Sequence, residues 1–379
     1  MEKETVFTTK ESNRLLSLDA FRGATIAAMI LVNNPGSWSH IYPPLRHAEW
    51  HGWTFTDLIF PFFLFIVGAA IVYAFSKYTQ NDLPKGKLYI KIVRRTLILI
   101  GLGLFLNGFP YFDISSIRIP GVLQRIGICY FFASLIFLHF SKRGQWIWII
   151  TLLFGYWALM EWYPVPGVGA GHYEKGANFS NYIDSLILQG HMWSVTKTWD
   201  PEGLVSTIPA IATTLFGVMT GHLLRSQRSQ LEKVVWMLIA GNTALFMGTV
   251  WNNWLPVNKS IWTSSYSVLM AGLALIVLAF SYFIIDIKKY KKGAFPARVY
   301  GMNAITVFVL SGLIAKLLYL IRWNSTDGQV VTLKSSIYNN LFASWLGPLN
   351  GSLAFAITFI VVMYGIVYWM YKKKIFIKI

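Results

Sequence analysis

The sequence is poor in cysteine and in charged residues. Only one cysteine, Cys129, occurs in 379 residues, which excludes an intrachain disulfide and a metal site built from several thiolates. Charged residues make up 13% of the chain, whereas about 25% is usual in soluble domains. This shortage excludes an ordinary soluble enzyme. It also leaves too little solvated surface for a nucleic-acid-binding groove, so we expect no nucleic-acid partner despite a net charge of +17.

The chain is rich in hydrophobic residues, which make up 55% of it and occur in long apolar runs. A window of about 20 apolar residues can cross the hydrocarbon core of a lipid bilayer. Such windows predict an all-α polytopic integral membrane protein with about ten transmembrane helices, near residues 15–34, 54–76, 88–108, 120–140, 145–162, 205–225, 233–250, 262–285, 299–321 and 352–371.

The domain organisation follows from the same runs. We predict one transmembrane domain over 15–371, between an N-terminal tail at 1–14 and a basic tail at 372–379. The polar first residues indicate a membrane helix rather than a cleavable signal peptide. The longest connection is 163–204, and the segment 336–347 is too short and polar to span, so it is interpreted as interfacial or re-entrant.

Basic residues are divided unequally between alternate connections. One side collects 23 Lys and Arg residues and the other side 7. The positive-inside rule then predicts an even number of spans with both termini cytoplasmic. The polar segments 35–53, 109–119, 163–204, 251–261 and 322–351 fall on the opposite face, where we expect any chemistry to lie.

Ionisable residues within spans are costly unless they are paired or hydrated. Asp19 and Arg22 are three residues apart and form either a structural ion pair or the wall of a polar cavity. Asp57 stands near the start of the second predicted span, where it could cap the helix.

Two arginines and an amide stand out in and before the fourth span. Arg118 precedes Arg125 by seven residues, and Gln124 lies beside the second arginine. Guanidinium groups bind carboxylates and phosphates in bidentate fashion. This pattern indicates a site for a phosphorylated or carboxylate ligand.

Three of the seven histidines occur within residues 40–51. His47 and His51 are four apart with Glu49 between them, but the order differs from the HExxH zinc motif and a Pro-Pro pair is adjacent. We therefore expect no metal site. His47 is either an interfacial surface residue or a general base, the role that imidazole fills near neutral pH.

Several strings, taken together and in order, resemble the heparan-α-glucosaminide N-acetyltransferase family from about residue 15 to the C-terminus. They are SLDAFRG (17–23), VNN (32–34), RHAEWHGWTFTDLIFPFFLFIVG (46–68), RIPGVLQRIGICYF (118–131), DPEGL (200–204), PVNKSIWTSSY (256–266), YGMNAI (300–305) and KKKIFIKI (372–379).

The resemblance implies that acetyl-CoA, as co-substrate, donates its acetyl group across the membrane to the amino group of a glucosamine-containing acceptor. It implies that His47 is the catalytic residue and that Asn33 supports it. Animal members carry a further N-terminal region and span, so a bacterial inner-membrane relative, with its site facing the periplasm, is expected. The same analogy allows a homodimer.

Further site assignments accompany this resemblance. Acetyl-CoA binding is assigned to Arg118, Gln124, Arg125 and Asn303, although Asn303 could equally join helices. Substrate binding is assigned to Asp57, Trp50, Glu202 and Trp262. Either indole could stack on a sugar ring, and Trp262 would do so together with Tyr266. The acids Asp200 and Glu202 could recognise an amino-sugar cation or could structure their loop.

Other functions stay open from the residues themselves. A polytopic sugar or amino-sugar transporter is compatible with the composition and intramembrane charges, and an O-acyltransferase acting on a cell-surface glycan is the nearest enzymatic alternative. Direct transfer and a covalent acetyl-imidazole route are equally compatible with the sequence.

Overall fold

The computed structural model of the protein describes residues 15–80, 84–324 and 328–377. The predicted N-terminal tail and the last two residues lie outside these ranges. The described chain is built almost entirely from α-helices, namely α1 Leu16–Asn33, α2 Phe55–Gln80, α3 Gly86–Gly108, α4 Val122–His139, α5 Lys142–Trp162, α6 Phe179–Ile187, α7 Thr207–Leu224, α8 Gln230–Trp251, α9 Ser264–Tyr282, α10 Phe295–Met302, α11 Ala304–Leu320, α12 Leu333–Tyr338 and α13 Ser344–Lys372.

All ten predicted spans contain helix, so the all-α polytopic class is confirmed. Seven helical segments are long and apolar enough to cross a bilayer, or eight when α10 and α11 count as one. The helices α3 and α5 are outside that group. Four basic residues crowd the first half of α3, at positions 87, 91, 94 and 95, which lowers its apolar character.

The predicted span 299–321 is not one continuous helix. Helices α10 and α11 meet at Asn303 with a bend of 82°. The Asn303 amide donates to the carbonyl of Ile375 at 3.1 Å and accepts from the N–H of Ile377 at 3.0 Å. The break therefore joins these helices to the C-terminal segment, and hydropathy alone gave no sign of it.

The segment 336–347 is helical in the structure. It comprises the end of α12, a π-helical turn over Asn339–Ala343 and the first residues of α13. A break follows at Gly347, whose φ is 74°, a left-handed conformation that glycine adopts without strain. Just before α12, a short antiparallel hairpin pairs β1 Arg322–Asn324 with β2 Val330–Thr332.

The Asp19–Arg22 pair is structural. Its carboxylate and guanidinium are 3.2 Å apart, and Arg22 also reaches the carbonyl of Gly301. This pair thereby helps to hold α1 against α10, which pack so closely that a Cβ at Gly301 would stand 2.2 Å from the Asp19 carbonyl oxygen.

Helices α2 and α7 approach each other through glycines. A Cβ at Gly217 would lie 1.9 Å from the backbone oxygen of Phe65, and one at Gly68 would lie 1.8 Å from that of Thr214. Gly217 belongs to the string GVMTG, whose small residues allow close helix packing. This contact holds α2, which carries Asp57, against α7, which follows the 163–204 connection.

We expect Gly217→Val to destabilise the protein, because the side chain has no room between α2 and α7. Overpacking of this kind costs roughly 1–3 kcal/mol or more, which should lower the melting temperature of the detergent-purified protein by several degrees. Gly155→Val on α5 is the matched control, since a Cβ there meets no heavy atom of the described residues within 4 Å. Equal melting temperatures for both variants would contradict the packing argument.

Candidate functional site

A cavity of about 490 Å³ opens among the helices at the end where several polar connections converge. Its helical walls come from α1, α2, α4 and α11 and are mostly apolar, while its loop wall is polar. The predicted segments 35–53, 109–119, 163–204 and 251–261 all contribute side chains to it. The structure thus brings together four connections that are far apart in sequence.

His47 and Asp57 form a short polar contact at the wall of this cavity. The His47 Nδ1 lies 2.6 Å from the Asp57 Oδ1. Asp57 is buried, with 1% of its side chain exposed, whereas 51% of the imidazole is exposed. Because a carboxylate can only accept, we assign the imidazole proton to Nδ1. The Nε2 lone pair is then available as a base.

Local backbone geometry explains why Asp57 stands in this place. It lies in the first turn of α2, and its Oδ2 accepts from the backbone N–H groups of Thr54 and Ala48, both at 3.0 Å. The predicted capping role is therefore present. Since both oxygens bind protein groups, the contacts favour orientation of His47 over the direct substrate binding that the sequence suggested for Asp57.

Lys259 is a member of this group that sequence reasoning missed. Its Nζ lies 3.3 Å from the Asp57 Oδ1 and 3.0 Å from the His47 Nδ1. Burial lowers the pKa of Lys259, and the Asp57 carboxylate opposes that effect. Lys259 lies in the string PVNKSIWTSSY, but a single lysine in a loop carries no spacing signal that would connect it to His47.

Two further contacts connect the segment of Lys259 and the start of α9 to the segment of His47 and the start of α2. The Gly52 N–H donates to the Val257 carbonyl at 2.7 Å, and the Tyr266 hydroxyl donates to the Asp57 carbonyl at 2.6 Å. Tyr266 is fully buried. The geometry of the His47, Asp57 and Lys259 side chains is therefore set by contacts of the backbone as well as by their contacts with one another.

Trp262 does not face the cavity, so its predicted stacking on a sugar has no geometric basis. Only 1% of the residue is exposed. Its ring packs against Phe60 and Tyr266, and its Nε1–H donates to the Thr213 hydroxyl at 3.2 Å. Trp262 instead forms part of the packed support behind Asp57.

Arg118 lines the cavity but is occupied by two acids. It donates to both oxygens of Asp200, at 2.8 and 2.6 Å, and to Glu202. These carboxylates outweigh burial and raise the pKa of Arg118. The contacts pin the 163–204 connection to the segment before α4, which favours the loop-structuring interpretation of Asp200 and Glu202. Glu202 also lines the cavity.

Gln124 and Arg125 stand behind the wall rather than in it. The Arg125 guanidinium is buried, donates to the Gly203 carbonyl at 3.0 Å and lies 5.1 Å from the centre of the Trp262 ring. Gln124 donates to the Ile119 carbonyl at 3.0 Å. Neither side chain belongs to the cavity lining. The geometry therefore does not support the predicted direct contact of Gln124 and Arg125 with acetyl-CoA. The same holds for Asn303, which binds the C-terminal segment.

Asn33 and Trp50 do line the cavity, as the sequence suggested. Asn33 ends α1, and its side chain has no hydrogen-bond partner among the described residues. Trp50 donates from Nε1 to the Tyr173 carbonyl at 2.9 Å and packs edge-on against Trp199 at 5.1 Å. The amide of Asn33 is exposed to a ligand, whereas the Trp50 ring is largely buried and only the edge of it that lines the cavity is open.

The long connection supplies cavity residues that were not predicted. Lys175, Trp193 and Trp199 come from it, and Glu49 comes from the histidine loop. The Lys175 ammonium lies 5.6 Å from the centre of the Trp50 ring. No three His, Cys, Asp or Glu side chains of the described ranges form a group suited to a metal ion.

Comparison with known proteins gives a consistent assignment. The sequence model of the family described as heparan-alpha-glucosaminide N-acetyltransferase, catalytic, matches residues 14–251. The chain is also 29% identical to the mouse and the human proteins named heparan-alpha-glucosaminide N-acetyltransferase, in each case over 97% of its own length. It spans 61% of the mouse protein and 60% of the human protein.

Proposed function

The chain belongs to the heparan-alpha-glucosaminide N-acetyltransferase family, and on that premise we propose that it transfers the acetyl group of acetyl-CoA to the amino group of a glucosamine-containing acceptor. The observation that carries this proposal is the His47–Asp57 contact of 2.6 Å at the cavity wall. An oriented, half-exposed imidazole is the base that such a transfer needs.

The proposed reaction is a direct attack of the acceptor amine on the thioester carbonyl. The new C–N bond forms, the C–S bond breaks, and the proton lost by the nitrogen passes to the His47 Nε2. The departing CoA sulfur takes up that proton as a thiol, which restores the neutral imidazole. Asp57 holds the ring in position throughout, and its charge stabilises the imidazolium that forms.

Two other side chains have defined tasks in this proposal. The Asn33 amide, which has no partner among the described residues, donates to the oxygen of the tetrahedral intermediate, where negative charge develops. The Lys259 ammonium, 3.3 Å from Asp57, keeps that carboxylate ionised. The first task requires a neutral hydrogen-bond donor, which the Asn33 amide supplies, and the second requires a cation, which Lys259 supplies.

We propose that the apolar helical walls receive the uncharged pantetheine arm of acetyl-CoA. The wall residues Ile59, Phe63, Ile126 and Phe308 offer only hydrocarbon surface to a ligand. The arginines expected to hold the CoA phosphates are engaged, because Arg118 is paired with two acids and the remaining candidates lie outside the lining. The phosphates must therefore find their partners away from this wall.

We place the cavity on the non-cytoplasmic side of a bacterial inner membrane, with both termini cytoplasmic. The unequal division of 23 and 7 basic residues supports this orientation. The cavity walls at 35–53 and 163–204 belong to the segments with few basic residues. Acetyl transfer at this position joins a cytoplasmic donor to an external acceptor.

The purified protein in lipid nanodiscs, given acetyl-CoA labelled in the acetyl group and glucosamine, tests the proposal. We expect labelled N-acetylglucosamine that survives mild alkali, because amides resist it. Release of the label by alkali would point to O-acylation instead. If liposomes with the protein take up glucosamine without acetyl-CoA and no labelled product forms, the transporter interpretation replaces this one.

A further inference from the structure

Helix α3 carries a stripe of basic residues on its exposed side. Lys87, Lys91 and Arg94 follow one another at intervals of four and three residues, which places them on one face of the helix over about two turns. All three residues are exposed, and none has an ion-pair or hydrogen-bond partner among the residues that the structure describes. We call these three residues the basic stripe. Its charges are available to a ligand.

The next cation on the same helix is engaged by the protein. Arg95 is partly buried, and its guanidinium lies 4.6 Å from the centre of the Tyr130 ring on α4. A guanidinium over an aromatic face is held by a cation–π interaction. The fold therefore uses Arg95 to pack α3 against α4, whereas the basic stripe takes no part in that packing.

The basic stripe lies at the end of the helix bundle opposite the cavity. Helix α2 begins beside Asp57 in the cavity wall and runs away from it, and α3 starts where α2 ends. Helix α3 then returns toward the cavity, where the Asn107 amide near its last turn donates to the carbonyl of Arg118 at 2.7 Å. Arg118 lines the cavity. The basic stripe is therefore separate from the site of the proposed acetyl transfer.

Exposed apolar side chains lie beside the basic stripe on the same face of α3. Ile90 is 70% exposed and Leu97 is 61% exposed, and both belong to the predicted span 88–108. Arg94 lies six residues inside that span, about 9 Å along the helix axis. An exposed guanidinium at this depth requires an anion or access to the headgroup layer. The face thus presents hydrocarbon surface and cations together, as the chains and headgroup of a lipid require.

The charge of the basic stripe is not offset by acidic neighbours. Helices α3 and α4 contain no acidic residue, and the connection between them holds one, Asp113, on the cavity side. The Tyr89 hydroxyl and the His139 Nε2 are 2.9 Å apart, which brings the start of α3 to the end of α4. Two more exposed cations, Lys142 and Arg143, follow that end. The surface therefore complements a negatively charged headgroup.

We propose that the basic stripe binds the headgroup of an anionic phospholipid in the leaflet opposite the cavity. Its cations meet the phosphate through charge-assisted hydrogen bonds, while Ile90 and Leu97 contact the acyl chains. Basic clusters at the membrane-facing ends of helices recognise anionic lipids by this combination. A zwitterionic lipid carries an ammonium group beside the same phosphate, and the basic stripe repels that group. The surface therefore selects lipids by their net charge.

Native mass spectrometry of the full chain in a neutral detergent tests this proposal. The probes are dioleoylphosphatidylglycerol and dioleoylphosphatidylcholine, which have identical acyl chains. One cation beside an anionic lipid strengthens binding by about fivefold, so we expect the wild type to bind phosphatidylglycerol more tightly by about tenfold or more. Equal affinity for the two lipids would overturn the proposal. Displacement of the bound lipid by millimolar glycerol 3-phosphate would also overturn it, because a free phosphate would then suffice.

Neutral substitutions locate the lipid on the protein. The double variant Lys91→Gln/Arg94→Gln removes two cations of the basic stripe and should lose most of the preference for phosphatidylglycerol. The matched control, Lys291→Gln/Lys292→Gln, removes two exposed cations from the connection before α10 and should keep that preference. An unchanged preference in the stripe variant, or an equal loss in both variants, would contradict the assignment. If the double variant yields no folded protein, Lys91→Gln alone should lose about fivefold, and Arg94→Lys should bind as the wild type does.

Discussion

His47→Gln is expected to lower kcat/KM for acetyl transfer by about 10³-fold, within the range of general-base contributions. Glutamine can still donate from its amide to Asp57, so the loop and the capped start of α2 should stay in place. It cannot accept the proton of the acceptor amine. Transfer of label from acetyl-CoA to glucosamine measures the loss, and binding of acetyl-CoA measured by calorimetry should change little.

His51→Gln is the matched control for this variant. His51 is four residues further along the same loop and contacts Asn258 and Glu174, but it does not line the cavity. We expect its activity to stay close to that of the wild type. If His47→Gln retained transfer within tenfold of the wild type, or if both variants lost activity equally, His47 would not be the base.

The helical framework was within reach of sequence reasoning because bilayer thickness sets the length of each apolar run. The bend at Asn303 was not, since the polar contacts that stabilise it involve Ile375 and Ile377, more than 70 residues along the chain. A hydropathy window averages over one asparagine. It therefore merges two helices that the backbone keeps apart.

Residue type was enough to single out side chains that line the cavity, but it did not predict which groups those side chains contact. His47, Asn33, Arg118 and Trp50 do reach one cavity. No spacing in the sequence indicates that Arg118 is neutralised by acids 82 and 84 residues away. A guanidinium in a predicted polar loop indicates a bound anion, and only the fold decides whether that anion is a ligand or the protein's own carboxylate.

Trp262 illustrates the same limit for aromatic residues. Its position at a predicted span end is compatible with an interfacial ring, a sugar platform or packed core. The contacts with Phe60 and Thr213 place it in the core. Burial depends on which helices become neighbours, and a single sequence does not supply that information.

Lys259 is a site residue that only the fold reveals, because it lies 212 residues from His47 in the chain. Its Nζ lies 3.3 Å from the Asp57 Oδ1 and 3.0 Å from the His47 Nδ1. Asp57 is buried, and removing one partner of a buried ion pair leaves the other charge uncompensated. We therefore expect the ammonium to hold Asp57, and through it the His47 ring, in place.

Lys259→Met should consequently lower kcat/KM by roughly 10- to 100-fold, because a small displacement of a reacting group can cost up to about 10²-fold. Lys259→Arg keeps a cation beside Asp57 and should retain most of the activity. Lys175→Met removes a cavity lysine that is held over Trp50, and it should lose less activity than Lys259→Met. Transfer of label from acetyl-CoA to glucosamine measures all three variants. Equal activity of Lys259→Met and Lys259→Arg would contradict the role of the charge at this position.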